Sequence, residues 1–223
     1  MNITAVGFDA AGTLFHNAAL DAHLSVLDDR MPVLAAVQVV GSRGLWPEDT
    51  ATDDARAAAW SLFYEQVFTE ARCDGPQASR LGRECGDLVA DPAGYRLFDD
   101  VTPMLDHLDR LGLGSCVISN FDPLLALILD RLDLTGRFRV VVSSWEVGCY
   151  KPDPVIFRMA LARMGVPAEG LLYVGDSPAT DVKGATACGI RAVLIDRDDR
   201  HSGHTGPRIR QLTDLLDHVE AAS

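Results

Sequence analysis

The chain has 223 residues, 48% of them hydrophobic, enough to bury one large domain or a core with a smaller insert. Its formal net charge of −12, with no basic stripe, opposes attraction to phosphate backbones and excludes nucleic acid as an expected partner. No long apolar span or leader pattern stands out, and five scattered cysteines form no CxxC pair, so the expectation is a cytoplasmic protein with reduced thiols and no membrane association.

In chain order, residues 3–8 read as a buried strand: the apolar run Ile3, Ala5, Val6, Phe8 ends at Asp9, and a small-residue turn follows through Gly12 and Thr13. From residue 17 to 95 the period becomes helical. Leu20, Leu24 and Leu27 recur at i, i+4, i+7, as do Val33, Val37 and Val40, although valine runs also suit strands. Thr52 before Asp53 and Asp54 makes a helix start, with Trp60, Phe63 and Val67 on one face. Leu81, Cys85 and Leu88 mark a further helix that ends near Asp91.

After Phe98 strand and helix alternate. Val101, Leu105 and Leu108 form a helical face closed by Gly112; 115–118 is a strand; Asp122 and Pro123 begin a helix to about Leu132. Residues 138–142 are rich in strand formers, Asp153 and Pro154 cap a helix stopped by Gly165, and 171–174 is the next strand. A helix over 178–187, a strand over 191–195 and a C-terminal helix marked by Leu212, Leu215 and Val219 complete the reading. Strands separated by single helices pair in parallel through right-handed crossovers, which gives an open doubly wound (Rossmann-like) α/β sheet of about five strands. Ligands of such sheets sit beyond the carboxyl ends of the strands, where Asp9, Ser119 and Asp176 fall.

Four stretches carry polar groups to those ends: VGFDAAGTLF with Asp9, CVISNFD with Ser119, GCYKPDPVIF with Lys151, and YVGDSPATD with Asp176 and Asp181. Singly each has an ordinary reading, since an aspartate beside a glycine turn, a loop lysine or a serine at a helix start is common. As an ordered set they resemble the four motifs of the haloacid dehalogenase-like hydrolase superfamily. The resemblance covers about residues 3–15 and 98–196 and implies an α/β core over 1–15 and 98–223, with a helical cap domain over 16–97 that chooses the substrate. It implies Asp9 as the nucleophile that forms an aspartyl-phosphate, Ser119 and Asn120 as phosphate-binding residues, and Lys151 as the neutralising cation. Mg²⁺ would be held by Asp9, the backbone carbonyl of Ala11 and Asp176, with Asp181 a weaker ligand, direct or through water. The implied substrate is a small phosphorylated metabolite.

One departure stands out. Phosphatases of the superfamily usually carry a second aspartate two residues after the nucleophile as general acid/base, and here that position is Ala11. The loss implies a slow phosphatase, one restricted to good leaving groups, or a substitute base such as His16 or His23. Arg43, Trp46 and Arg56 are possible substrate contacts from the cap. Two alternatives stay open: a phosphate-binding or regulatory protein without turnover, and a haloacid dehalogenase-type hydrolase. Retention of Asp176 argues against the second, because dehalogenases work without metal and lack that aspartate. A Schiff-base mechanism through a cap lysine is disfavoured, since Lys151 and Lys183 are the only lysines.

Overall fold

The apolar stretches bounded by turn residues become parallel strands in the computed structural model, which describes residues 3–28, 31–42, 47 and 50–220. The principal elements in chain order are β1 (Ala5–Phe8), β2 (Phe15–Asn17), α1 (Ala18–Asp28), α2 (Val33–Ser42), α3 (Asp53–Glu70), α4 (Gly75–Ala90), β3 (Tyr95–Leu97), α5 (Val101–Leu111) and β4 (Gly114–Ser119). They continue with α6 (Leu124–Arg131), β5 (Val140–Ser143), α7 (Ser144–Val147), α8 (Pro154–Met164), β6 (Leu171–Gly175), α9 (Lys183–Ala187), β7 (Arg191–Ile195), β8 (Arg208–Ile209) and α10 (Leu216–Glu220). Packing divides the chain into two units, one of residues 1–16, 97–121 and 133–223, the other of 17–96 and 122–132.

The first unit is built on a six-stranded sheet in the order β5-β4-β1-β6-β7-β8, every pairing parallel. β1 lies centrally, with Phe8 opposite Val117 on β4 and opposite Val174 on β6. Alternation along the strands then sends Ala5, Cys116, Ile118 and Tyr173 into a core with Ile156, Phe157 and Ala160 of α8. Phe8 meets Phe138 edge-on with ring centroids 6.2 Å apart. The sheet is larger by one short strand than the sequence predicts. β8 has only two residues and no apolar alternation to announce it; its pairing with β7 is supported by Asp196, which accepts from Arg208 Nη1 at 2.7 Å and from the backbone N–H groups of Arg200 and His201.

The second unit is helical. Its core joins Leu20 and Leu24 of α1, Val33 and Val40 of α2, Phe63, Tyr64, Val67 and Phe68 of α3, and Leu81 and Cys85 of α4. The valine stripe is therefore helix, with Val33 and Val40 buried and Val37 partly so on the same face. Thr52 accepts from Ala55 N–H as the cap of α3, and Asp74 accepts from Gln77 N–H as the cap of α4, so Asp74, Gly75 and Pro76 begin a helix as well as break the chain. α6 packs with this unit, although the sequence assigns residues 98–223 to the core.

Arg56 of α3 explains part of that difference. Its side chain is 3% exposed, Nε is bonded to Asp122 and Nη1 to Asp53, while Asp122 also accepts from Leu124 N–H at the start of α6. The guanidinium is thus engaged by carboxylates as a structural clamp, in place of the substrate contact the sequence allowed; Arg43 and Trp46 lie outside the described residues. Among the described residues no helix is long and apolar enough to cross a membrane. Replacing Arg56 by Met leaves the buried Asp122 charge uncompensated and is expected to lower stability by about 3 kcal/mol in urea denaturation; an unchanged midpoint would contradict the clamp.

Candidate active site

The ends of β1, β4 and β6 form the site within the first unit. Asp9 continues β1 by one residue, its N–H bonded to Val174 O at 2.9 Å. The chain then turns tightly: Ala10 O accepts from Thr13, Leu14 and Phe15 N–H, and Gly12 N–H returns to Phe15 O at 2.8 Å. Gly12 has φ +79°, and a Cβ there would collide with the Asp176 carboxylate, so glycine is required both for the turn and for the approach of Asp176.

Lys151 is the centre of this arrangement. Its Nζ lies 2.5 Å from Asp9 Oδ1 and 2.6 Å from Asp181 Oδ1, and donates to the Tyr173 hydroxyl at 3.1 Å. Its backbone is fixed by Asn120, which accepts from Lys151 N–H at 2.6 Å and donates to Lys151 O at 3.1 Å. The Asn120 amide therefore holds the lysine backbone in place. Asp181 Oδ2 accepts from Ser177 N–H at 2.9 Å, so both oxygens of that carboxylate are held. Ser119, buried at the end of β4, bonds through its hydroxyl to no described residue and remains available to a ligand.

Burial would push Lys151 down, but attraction to Asp9 and Asp181 outweighs it and holds the ammonium above its ordinary value. Burial pushes the Asp9 carboxyl up against the pull of Lys151, and the nearby Asp181 adds to the rise. Asp176 is solvent-exposed as a residue, yet its carboxyl is pushed up to about 7, first by the protein that strips water from it and then by repulsion from Asp9 and Asp181. Each of the three aspartates offers an oxygen within 4.8 Å of the others. Three carboxylates thus face one ammonium.

That donor set fits a hard divalent cation such as Mg²⁺, which favours oxygen ligands. Two further observations agree with it. Asp176 accepts no hydrogen bond from the side chain or backbone of another described residue, and the Ala11 carbonyl likewise accepts none. Asp181, with both oxygens engaged, serves the lysine. The histidines named as substitute bases have other neighbours: His16 stacks on Phe98 at 4.9 Å, and His23 lies in the second unit with Nε2 3.6 Å from Glu84.

Sequence reasoning missed Tyr173 and Gly175. Tyr173 sits inside the strand LLYVG and reads as a core aromatic; a phenol in an aliphatic run was its one signal. Gly175 admits the Asp181 side chain, with which a Cβ would collide. Gly175→Ala is expected to cost about 1–3 kcal/mol in chemical denaturation; a wild-type midpoint would show that Asp181 does not need that space.

The family model for haloacid dehalogenase-like hydrolases matches residues 3–189. The chain is similar to a phosphoserine phosphatase from Thermus thermophilus, 36% identical over 160 residues that cover 69% of this chain and 63% of that protein, so it spans less than two thirds of that relative. It is also similar to haloacid dehalogenase-like hydrolase domain-containing protein 3 from Mus musculus, 35% identical over 195 residues, which cover 82% of this chain and 73% of that protein. Among solved structures, a HAD phosphatase from Thermococcus onnurineus superposes with a TM-score of 0.64 at 25% identity, covering 97% of this chain and 98% of that one. The strand-end carboxylates around Lys151 and the extent of these matches lead to one conclusion: the chain belongs to the haloacid dehalogenase-like hydrolases.

Proposed function

We propose that this chain hydrolyses phosphate esters of a small metabolite, with Asp9 as nucleophile. The observation that carries the reading is the Asp9 carboxylate, buried at the end of the central strand against Lys151 and close to Asp176. An Asp9 oxygen attacks phosphorus in line, the bond to the leaving oxygen breaks with its electron pair, and the phosphoryl group rests on Asp9 until water displaces it. Lys151 holds positive charge where the phosphoryl oxygens arrive, and the Ser119 hydroxyl donates to one of them. Asp9, Asp176 and the Ala11 carbonyl would hold Mg²⁺, which when bound would neutralise charge on the phosphoryl group. The helical unit takes the part of a cap that selects the substrate, and the free cysteines suit a reducing cytoplasm. Phosphatases among the relatives support the reaction class.

Ala11 favours a second reading, a phosphate-binding module with little turnover. Its methyl group can neither protonate the leaving oxygen nor activate water, help that is typically worth about 10² to 10⁴ in rate. The two readings separate on phosphate release from a panel of phosphate esters and acyl phosphates. Release that requires Mg²⁺ and falls to background in Asp9→Asn is expected of the hydrolase; silence across the panel, with beryllofluoride and Mg²⁺ still taken up, supports the module. Ala11→Asp restores a carboxyl at the vacant position and is expected to raise turnover by up to about 10². No gain would mean that another group already supplies the proton.

A further inference from the structure

The Lys151 ammonium has three N–H donors and three buried acceptors: Asp9 Oδ1, Asp181 Oδ1 and the Tyr173 hydroxyl. Tyr173 is itself fully buried, and its ring meets Phe157 edge-on with centroids 5.3 Å apart. The hydroxyl has one proton, with Ile118 O at 2.8 Å and Asp181 Oδ1 at 3.1 Å as acceptors. Phenylalanine would fill the same space against Phe157. Packing therefore does not account for the oxygen, and a buried hydroxyl without partners would be costly.

We propose that Tyr173 is a positioning residue, whose hydroxyl supplies the third acceptor that holds the Lys151 ammonium against Asp9 and Asp181 while its one proton goes to the Ile118 carbonyl. Two carboxylates take two of the three ammonium protons and alone would leave the third N–H buried without an acceptor. The phenol oxygen supplies it. Because its oxygen is anchored to the carbonyl of Ile118, at the end of β4, it also fixes the ammonium to the sheet itself. The consequence for rate rests on the phosphatase reading; the consequence for the ammonium does not.

Lysine is confined to positions 151 and 183, and Lys183 is exposed, which allows a direct test. In metal-free protein labelled with ¹⁵N-lysine, one slowly exchanging ammonium signal is expected, with cross-relaxation to the Tyr173 hydroxyl proton. Tyr173→Phe is expected to speed its exchange by at least about 10-fold while cooperative unfolding is retained. On an active phosphate ester, kcat is expected to fall about 10-fold with KM within about two-fold, and the effect should shrink in an Asp181→Asn background. An unchanged ammonium signal and kcat in Tyr173→Phe would overturn the proposal, leaving the phenol a core filler. If that variant does not fold, absence of the cross-relaxation in wild type overturns it equally. Absence of any phosphatase activity would count against the functional reading alone, since the ammonium signal is read without substrate or metal.

Discussion

The site depends on a buried ammonium among carboxylates. A lysine taken out of water loses its charge unless the protein replaces its hydration, and here Asp9, Asp181 and the Tyr173 hydroxyl do so within 3.1 Å. The replacement is more than solvation. It orients Lys151 toward the carboxylate at the end of β1, and it leaves Asp176 as the carboxylate with no cation of its own. Asn120, Gly12 and Gly175 are needed because each lets one of these groups reach its place: Asn120 brackets the lysine backbone, while the two glycines clear room for Asp176 and Asp181.

Parallel strand order supplies the convergence. Asp9, Ser119 and Asp176 are far apart in sequence, and pairing of β1 with β4 on one side and β6 on the other brings their strand ends together. The same convergence crowds three carboxylates around one ammonium. One ammonium against three carboxylates leaves an excess that a divalent cation relieves, and that imbalance is the physical argument for Mg²⁺ at this end of the sheet. The same geometry gives Asp181 a supporting task, since its oxygens already accept from Lys151, Tyr173 and Ser177.

Much of this was legible in the sequence because strand ends are marked by abrupt changes of polarity. An apolar run that stops at aspartate or serine announces both the strand and the residue it delivers, as at Phe8 and Asp9 or at Ile118 and Ser119. What stayed hidden lacked such a contrast. β8 is two residues long and owes its place to the ion pair of Arg208 with Asp196. α6 follows a core strand yet packs with the helical unit, because the Arg56 to Asp122 clamp is a long-range pair that no local pattern encodes. Tyr173 is read as core by periodicity, and it is core; its oxygen is visible as functional only once Lys151 is placed beside it.

Ala11 is the feature that gives the site its own character. In the turn that follows Asp9 the carbonyl of Ala11 accepts from no described residue, while the side chain offers no proton. A displacement at phosphorus can proceed without that proton when the leaving group is stable as an anion, so the transfer to Asp9 proposed above does not require an acid at position 11. The measurement that bears most directly on this is acid quenching of the protein during turnover of an acyl phosphate with Mg²⁺, followed by mapping of the phosphorylated residue by mass spectrometry. A phosphoryl group on Asp9 is expected, absent without Mg²⁺ and absent in Asp9→Asn. Phosphate release with no phosphorylated Asp9 at any quench time would contradict it.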